Sequence, residues 1–136
     1  MTGRSFLDTN VLVYSDDQDE PAKQQISLDL LADCRRGRTG VVSTQVLQEY
    51  FVTATRKLGV AAAAARRKTE LFSHMHVVTP GVDDILAAID LHRLHGLSFW
   101  DGLIVRAALV SGCVRLFSED MQHGRRFDGC EVVNPF

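Results

Sequence analysis

Four acidic residues are spread along nearly the whole chain, and each stands close to the end of a short apolar stretch: Asp8, Glu49, Asp101 and Asp120. Carboxylates that a fold brings together repel one another unless a cation lies between them. A ligand set of oxygen atoms, with no cysteine or histidine, selects a hard divalent cation such as Mg²⁺ or Mn²⁺. Such a cation promotes hydrolysis of phosphodiesters, because it neutralises the phosphoryl oxygens and activates a water molecule.

Each of these residues also has an interpretation that involves no chemistry. Asp8 is a preferred residue for the N-cap of a following helix, with Thr9 and Asn10 as turn residues. Glu49 lies off the apolar stripe of its predicted helix, where a solvated glutamate is the default. Asp120 fits a turn equally well. Taken singly, these residues leave both interpretations open.

Asp101 has the strongest alternative, because Ser98-x-x-Asp101 matches a capping box at the start of a helix. The segment that follows, GLIVRAALV, is apolar almost all round, with Arg106 as its only other charge, which predicts a buried helix. A carboxylate at the start of a buried helix must be capped, paired or metal-bound. Phe99 and Trp100 could stack on a base, but beside an apolar helix we expect them in the core.

Strand-like and helix-like segments alternate along the chain. The predicted strands are RSFL, GVVS, HVVT, VRLF and EVVN. The predicted helices span Gln24–Cys34, Gln45–Leu58, Val60–His74, Asp83–His95 and Ser98–Ser111. This alternation implies crossover connections and a mostly parallel sheet with both faces covered. Ligands bind outside the carboxyl ends of the strands in such sheets, so we expect the four acidic residues near one rim.

The composition is that of an ordinary globular protein with one domain, residues 1–136, of which 46% are hydrophobic and 24% charged. The formal net charge of −2 provides no overall attraction to nucleic acid or membranes. Three widely spaced cysteines are typical of buried residues in a reducing cytoplasm, and the histidines lack zinc-like spacing. No apolar run reaches the ~18 residues of a membrane span, and no signal-peptide pattern is present. We therefore expect a cytoplasmic protein with no membrane contact.

The order of the motifs resembles that of the PIN-domain ribonucleases, and more narrowly the VapC-type toxins of bacterial toxin–antitoxin pairs. The motifs are DTN at residues 8–10, STQVLQEY with Glu49, SFWDGLIVRAAL with Asp101 and LFSEDMQHG with Asp120. The resemblance implies a three-layer α/β/α fold with a central, mostly parallel sheet. It implies a Mg²⁺- or Mn²⁺-dependent endoribonuclease, a homodimer inhibited by a cognate antitoxin protein. It also implies that the four acidic residues are catalytic and bind the metal.

Several neighbouring residues have supporting roles in this interpretation. Thr9 and Asn10 complete the first motif and are expected to steady the site. Glu119, next to the last acidic position, is a candidate for a contribution through water. Three basic clusters are candidates for contact with RNA phosphates: Arg35, Arg36 and Arg38; Arg66, Arg67 and Lys68; and Arg125 and Arg126. The last pair is preferred, because it lies close in sequence to Asp120.

Two other functions remain open from the residues alone. An aspartyl phosphotransfer or phosphatase domain also uses an aspartate at a strand end with Mg²⁺, but it wants a second acid two residues on, where Asn10 stands. A non-catalytic RNA-binding or assembly module could share the same fold. The presence of all four acidic residues argues against that module.

Overall fold

The computed structural model describes residues 2–136, which form six helices around one six-stranded sheet. The strands are β1 (Arg4–Leu7), β2 (Gly40–Ser43), β3 (His76–Val78), β4 (Cys113–Phe117), β5 (Arg126–Phe127) and β6 (Cys130–Val133). The helices are α1 (Thr9–Tyr14), α2 (Pro21–Gly37), α3 (Thr44–Arg56), α4 (Ala62–Phe72), α5 (Val82–His95) and α6 (Phe99–Val110).

The sheet has the strand order β3-β2-β1-β4-β6-β5, and every neighbouring pair except β5–β6 is parallel. The chain builds β2 and β3 on one side of β1 and then returns to place β4 on the other side. The carboxyl ends of β1 and β4 therefore flank the point where the strand order reverses, which is the usual ligand position in such sheets. The predicted three-layer α/β/α architecture with a mostly parallel sheet is confirmed.

Three of the helices begin at polar caps close to the carboxyl ends of the strands. Asp8 caps α1 by accepting a hydrogen bond from the Thr9 amide. Ser43, the last residue of β2, caps α3, and Ser98 caps α6 by accepting from the Asp101 amide. Because each cap satisfies a backbone N–H that has no partner within its helix, it fixes the helix start at this rim.

Two short elements differ from the sequence prediction. The apolar residues after Asp8 form the six-residue helix α1, which was expected only as a possible capped segment, and Val11 and Leu12 are buried there. The two-residue strand β5 pairs antiparallel with β6 across a turn. The five predicted strands and five predicted helices are present, with ends shifted by at most three residues.

Apolar side chains from both layers of helices meet the sheet in one core. Phe6, Val41 and Leu116 of the three central strands are at most 1% exposed. The cysteines are buried in this core as expected, and burial raises the pKa of each thiol. Within residues 2–136, no helix is both long enough and apolar enough to cross a bilayer.

Gly102 allows the backbones of α5 and α6 to lie close together at Ala88. A Cβ atom built on Gly102 would lie 2.7 Å from the carbonyl oxygen of Ala88. Because this oxygen belongs to the backbone of α5, the overlap is relieved only if one of the two helices moves. We expect Gly102→Ala to lower the free energy of unfolding by about 1–3 kcal/mol, because it forces α6 away from α5. Chemical denaturation measures this loss. Gly129→Ala is the matched control, since a Cβ atom there meets no atom within 4 Å, and an equal loss in both variants would contradict the packing argument.

Candidate active site

Asp8 lies at the carboxyl end of β1 and is only 5% exposed. Its Oδ1 accepts a hydrogen bond from the Thr9 amide at 2.7 Å, and its Oδ2 accepts one from the Ser118 hydroxyl at 2.7 Å. Burial raises the pKa of this carboxyl group to about 6, even though both hydrogen bonds lower it. The charges of Asp120 and Glu49 raise the pKa further. Asp8 is thus a desolvated carboxylate whose charged neighbours are carboxylates too.

The pairing of β1 with β4 places Asp120 beside Asp8. Leu7 and Phe117 are partners in the parallel register, so the residues that follow them leave the sheet side by side. The fully buried Ser118 connects the two acids, because its hydroxyl donates to Asp8 and accepts from the Asp120 amide at 3.1 Å. Asp120 itself is exposed to solvent.

Thr9 and Asn10, in the first turn of α1, contact the neighbouring acids. Asn10 Nδ2 donates to Asp120 Oδ2 at 3.2 Å, and its Oδ1 accepts from the Glu119 amide at 3.2 Å. The Thr9 hydroxyl donates to Glu49 Oε2 at 3.3 Å. The DTN motif therefore touches two of the three other acidic residues predicted for the site.

Glu49 reaches the same rim from the second turn of α3. Its Oε1 accepts a hydrogen bond at 2.7 Å from the side-chain amide of Gln45, one turn earlier. The same Gln45 nitrogen lies 3.4 Å from the carbonyl oxygen of Trp100, at the start of α6. Gln45 is 8% exposed, and among the described residues no donor forms a hydrogen bond with its side-chain oxygen, Oε1. Gln45 thus connects Glu49 to the segment that carries Asp101.

Asp101 lies in the first turn of α6 and is half-buried. Burial raises the pKa of its carboxyl group, a hydrogen bond from Ser98 lowers it, and the charge of Asp120 raises it again. Because the charge of Asp120 affects both Asp8 and Asp101, all three carboxylates contribute to one region of negative potential.

Glu119 lies in a separate network, although it is adjacent to Asp120. Its two oxygens accept hydrogen bonds from Tyr14 at 2.7 Å and from the Lys23 ammonium at 2.5 Å. These two hydrogen bonds lower the pKa of its carboxyl group against the opposing effect of burial. Its contribution through water stays a prediction.

The two arginines predicted to contact RNA have protein partners in the structure. Arg125 donates to the carbonyl oxygen of His95 at 3.0 Å and lies 4.8 Å from the centre of the Phe127 ring. Arg126 forms an exposed ion pair with Glu131 at 3.4 Å. Neither contact excludes a phosphate, since both arginines keep further N–H donors.

The four acidic residues offer a donor set made of carboxylate oxygens. Among residues 2–136, no three His, Cys, Asp or Glu side chains stand close enough together, as placed, to hold a metal ion. The chemistry of the donors nevertheless fits a hard divalent cation, since Asp8 is a buried carboxylate whose charged neighbours are acids. An added cation would relieve their repulsion and stabilise the ionised form of Asp8.

Sequence reasoning missed two residues of this region and misplaced a third. Ser118 gives no signal on its own, because only the β1–β4 register brings it to Asp8. The sequence shows Gln45 only as the first residue of a predicted helix, although side chains four residues apart on a helix lie close enough to form a hydrogen bond. Trp100 was expected in the core, but its side chain is 63% exposed, because it occupies the first turn of α6 on the outward side.

Two solved structures of similar fold are those of a toxin and of a toxin–antitoxin complex. VapC20 of Mycobacterium tuberculosis, a toxin described as cleaving the sarcin–ricin loop, superposes with a TM-score of 0.71 at 20% identity, over 85% of this chain and 89% of that one. A chain of a toxin–antitoxin complex from Klebsiella pneumoniae gives a TM-score of 0.72 at 17% identity, over 97% and 98%. At these identities the likeness shows the fold.

No curated protein matches the sequence significantly. The family model of the PIN domain, in contrast, matches residues 5–126, which include all four predicted acidic residues. The match therefore spans most of the chain and includes the acidic rim, which is the region of Asp8, Glu49, Asp101 and Asp120 at the strand ends and helix starts. On this evidence the chain belongs to the PIN-domain family.

Proposed function

We propose that this protein is a metal-dependent endoribonuclease that acts as the toxin of a toxin–antitoxin pair. The observation that carries the proposal is the buried Asp8 carboxylate, which shares one region of negative potential with Glu49, Asp101 and Asp120 at the carboxyl ends of β1 and β4. The PIN-domain match and the similar folds of a toxin and of a toxin–antitoxin complex support the toxin assignment.

The proposed cofactor is Mg²⁺ or Mn²⁺, held by oxygen atoms of the four acidic residues. When bound, such a cation supplies charge neutralisation at the phosphodiester and lowers the pKa of a water molecule. Asp8 and Asp101 are the preferred direct ligands, and Glu49 and Asp120 bind directly or through water, because Mg²⁺ keeps several waters. Thr9 and Asn10 orient Glu49 and Asp120 by the hydrogen bonds described above.

Digestion of total RNA tests the proposal. The protein is incubated with Mg²⁺, with Mn²⁺ or with a chelator, and the ends of the products are mapped. We expect cleavage only with a divalent cation, leaving 5′-phosphate and 3′-hydroxyl ends, because water attacks the phosphorus atom. Products with 2′,3′-cyclic phosphate ends, or equal cleavage in the chelator, would contradict the mechanism.

Gln45 is expected to act as a positioning residue for Glu49. Gln45→Ala removes the 2.7 Å hydrogen bond that fixes the Glu49 carboxylate, so we expect RNA cleavage to fall by about 10–100-fold at limiting Mg²⁺. Raising the Mg²⁺ concentration should recover part of the rate, which distinguishes weakened metal binding from misfolding. Gln48→Ala, an exposed glutamine on the same helix, is the control, and a matching loss in that variant would exclude a specific role for Gln45.

We propose that an antitoxin protein inhibits the nuclease by binding across its surface. A groove of about 710 Å³ lies between α2 and α4, with apolar residues such as Leu31 and Phe72 and with Arg35 and Arg38 along its lining. An amphipathic segment with acidic side chains fits this combination. Antitoxin-bound protein should cleave RNA much more slowly than free protein, and an unchanged rate would refute inhibition.

A homodimer in the cytoplasm completes the proposal. An exposed apolar stripe along α5 supports self-association, since Val82, Ile85, Leu86 and Ile89 recur at helical spacing and are 39–71% exposed. Light scattering measures the oligomeric state directly. Leu86→Glu should shift a dimer to a monomer, and a dimer that persists would place the interface elsewhere.

A further inference from the structure

Trp100 exposes a large aromatic side chain beside the acidic rim. Its side chain is 63% exposed, whereas tryptophan is usually well buried because of its large apolar area. It occupies the first turn of α6, directly before Asp101. Its carbonyl oxygen lies 3.4 Å from the Gln45 nitrogen that also donates to Glu49. The backbone of Trp100 is therefore joined through Gln45 to Glu49, and the next residue is Asp101.

The ring is held in place without being covered. Phe99 packs against it edge-to-face, with ring centres 5.0 Å apart and an interplanar angle of 76°. Phe99 is itself half-buried, so it connects the exposed indole to the body of the protein. An aromatic ring that is held in this way loses little conformational entropy when a planar ligand stacks on it.

The negative charge of the acidic rim makes an uncharged contact with RNA, such as stacking on an aromatic ring, useful for binding. The acidic residues repel the phosphates of RNA, and the net charge of −2 provides no compensating long-range attraction. Phosphate contacts alone are thus a poor source of affinity close to the reacting bond. Stacking of a base on an aromatic ring raises the affinity about tenfold or more per base and does not depend on charge.

From these observations, and resting on the proposed nuclease function, we propose that Trp100 stacks on an unpaired base of the RNA next to the phosphodiester that is cleaved. The RNA segment must be single-stranded at this point, because a base inside a duplex has no free face. Trp100 therefore selects loops and unpaired regions by shape. It tolerates different bases, since every base offers a stacking face.

Fluorescence gives a direct binding test, because Trp100 is the only tryptophan in the chain. The Asp8→Asn variant is used in this titration, since it removes one repelling carboxylate and is expected to leave RNA intact. Oligouridylate and oligoadenylate should quench the emission, whereas an abasic ribose-phosphate oligomer and a fully paired duplex should not. Equal quenching by the abasic oligomer, or none by any single strand, would overturn the proposal.

Cleavage kinetics give the second test in the otherwise native protein. Trp100→Ala should raise KM for single-stranded RNA by about tenfold or more, while Trp100→Phe should retain most of the affinity. Val110→Ala is the control, because Val110 is a 46% exposed apolar residue at the opposite end of the same helix, α6. An unchanged KM in Trp100→Ala would overturn the proposal while leaving the nuclease function intact. A native protein that cleaves no RNA would instead overturn the nuclease function, and the stacking proposal with it.

A protein partner is the competing occupant of this surface. If an inhibitory protein quenches Trp100 while single-stranded RNA does not, the residue belongs to a protein interface and the stacking proposal is wrong. The position of Trp100 directly before Asp101 favours RNA, because the reacting phosphodiester must come close to that carboxylate.

Discussion

Asp8→Asn is expected to abolish RNA cleavage and, at neutral pH without metal, to make the protein more stable. Loss of a direct metal ligand removes several kcal/mol of transition-state stabilisation, which corresponds to a rate reduction of about a thousandfold or more. The gain in stability arises because the native carboxylate is ionised in a buried position, 5% exposed, close to other acids. An asparagine of the same shape is neutral and can still cap α1.

The pH dependence of this effect follows from the raised pKa of Asp8. The group binds its proton more tightly in the folded state, with a pKa of about 6 against 3.8 for the free side chain. The contribution of the protonated Asp8 side chain to the free energy of unfolding is therefore fully present below pH 3.8 and is lost as the pH rises through 6. At pH 7 the loss amounts to about 3 kcal/mol at most, and Asp8→Asn should recover about 1–3 kcal/mol of it.

Denaturant unfolding in a chelator between pH 4 and pH 8 measures this difference. The variant and the native protein should converge at the acid end and separate towards neutral pH. Asp90→Asn, a change at an exposed carboxylate on α5, is the control and should follow the native protein throughout. A native protein whose stability does not fall between pH 4 and pH 7 relative to Asp8→Asn would show that the Asp8 carboxylate is well solvated.

Divalent cations are expected to reverse this destabilisation in the native protein. Mg²⁺ or Mn²⁺ at about 100 times its dissociation constant should add about 2.7 kcal/mol, because it binds only the folded state. For a chain of this size the gain corresponds to a rise in Tm of about 5–10 °C. A chelator should remove both this gain and RNA cleavage.

The variants separate site binding from general ionic effects. Asp8→Asn and Asp101→Asn should lose most of the metal-dependent rise in Tm, whereas Asp90→Asn should keep it. Thermal unfolding at constant ionic strength provides the measurement. A rise in Tm that is equal in all four proteins would place the cation outside the acidic rim.

The fold was largely predictable because the chain alternates two clear patterns. Segments such as GVVS and HVVT are short, apolar and β-branched, and between them lie helices with caps or glycine stops that the sequence shows. The helix α1 was harder to predict, because its six residues, which include the apolar run VLVY, are too few to show a helical periodicity. Burial of Val11 and Leu12 and the Asp8 cap, both products of the tertiary fold, determine its structure.

Only those residues of the candidate site that are unusual at their position in the sequence were predictable. Acidic residues beside apolar strands stand out, so the four carboxylates were found, and their role as metal ligands stays a prediction. Serine and glutamine are common in every part of a protein, so Ser118 and Gln45 became visible only through their contacts. Trp100 was misplaced because a large apolar residue near a buried helix is normally buried itself.

The pairing of β1 with β4 has a consequence for the cell during synthesis. The hydrogen bond from Ser118 to Asp8 joins residues 110 positions apart, so the acidic rim cannot assemble until translation has passed β4. Unfinished polypeptides emerging from a ribosome therefore lack the assembled acidic rim. Any activity that depends on these four residues therefore begins only with a nearly full-length, folded chain.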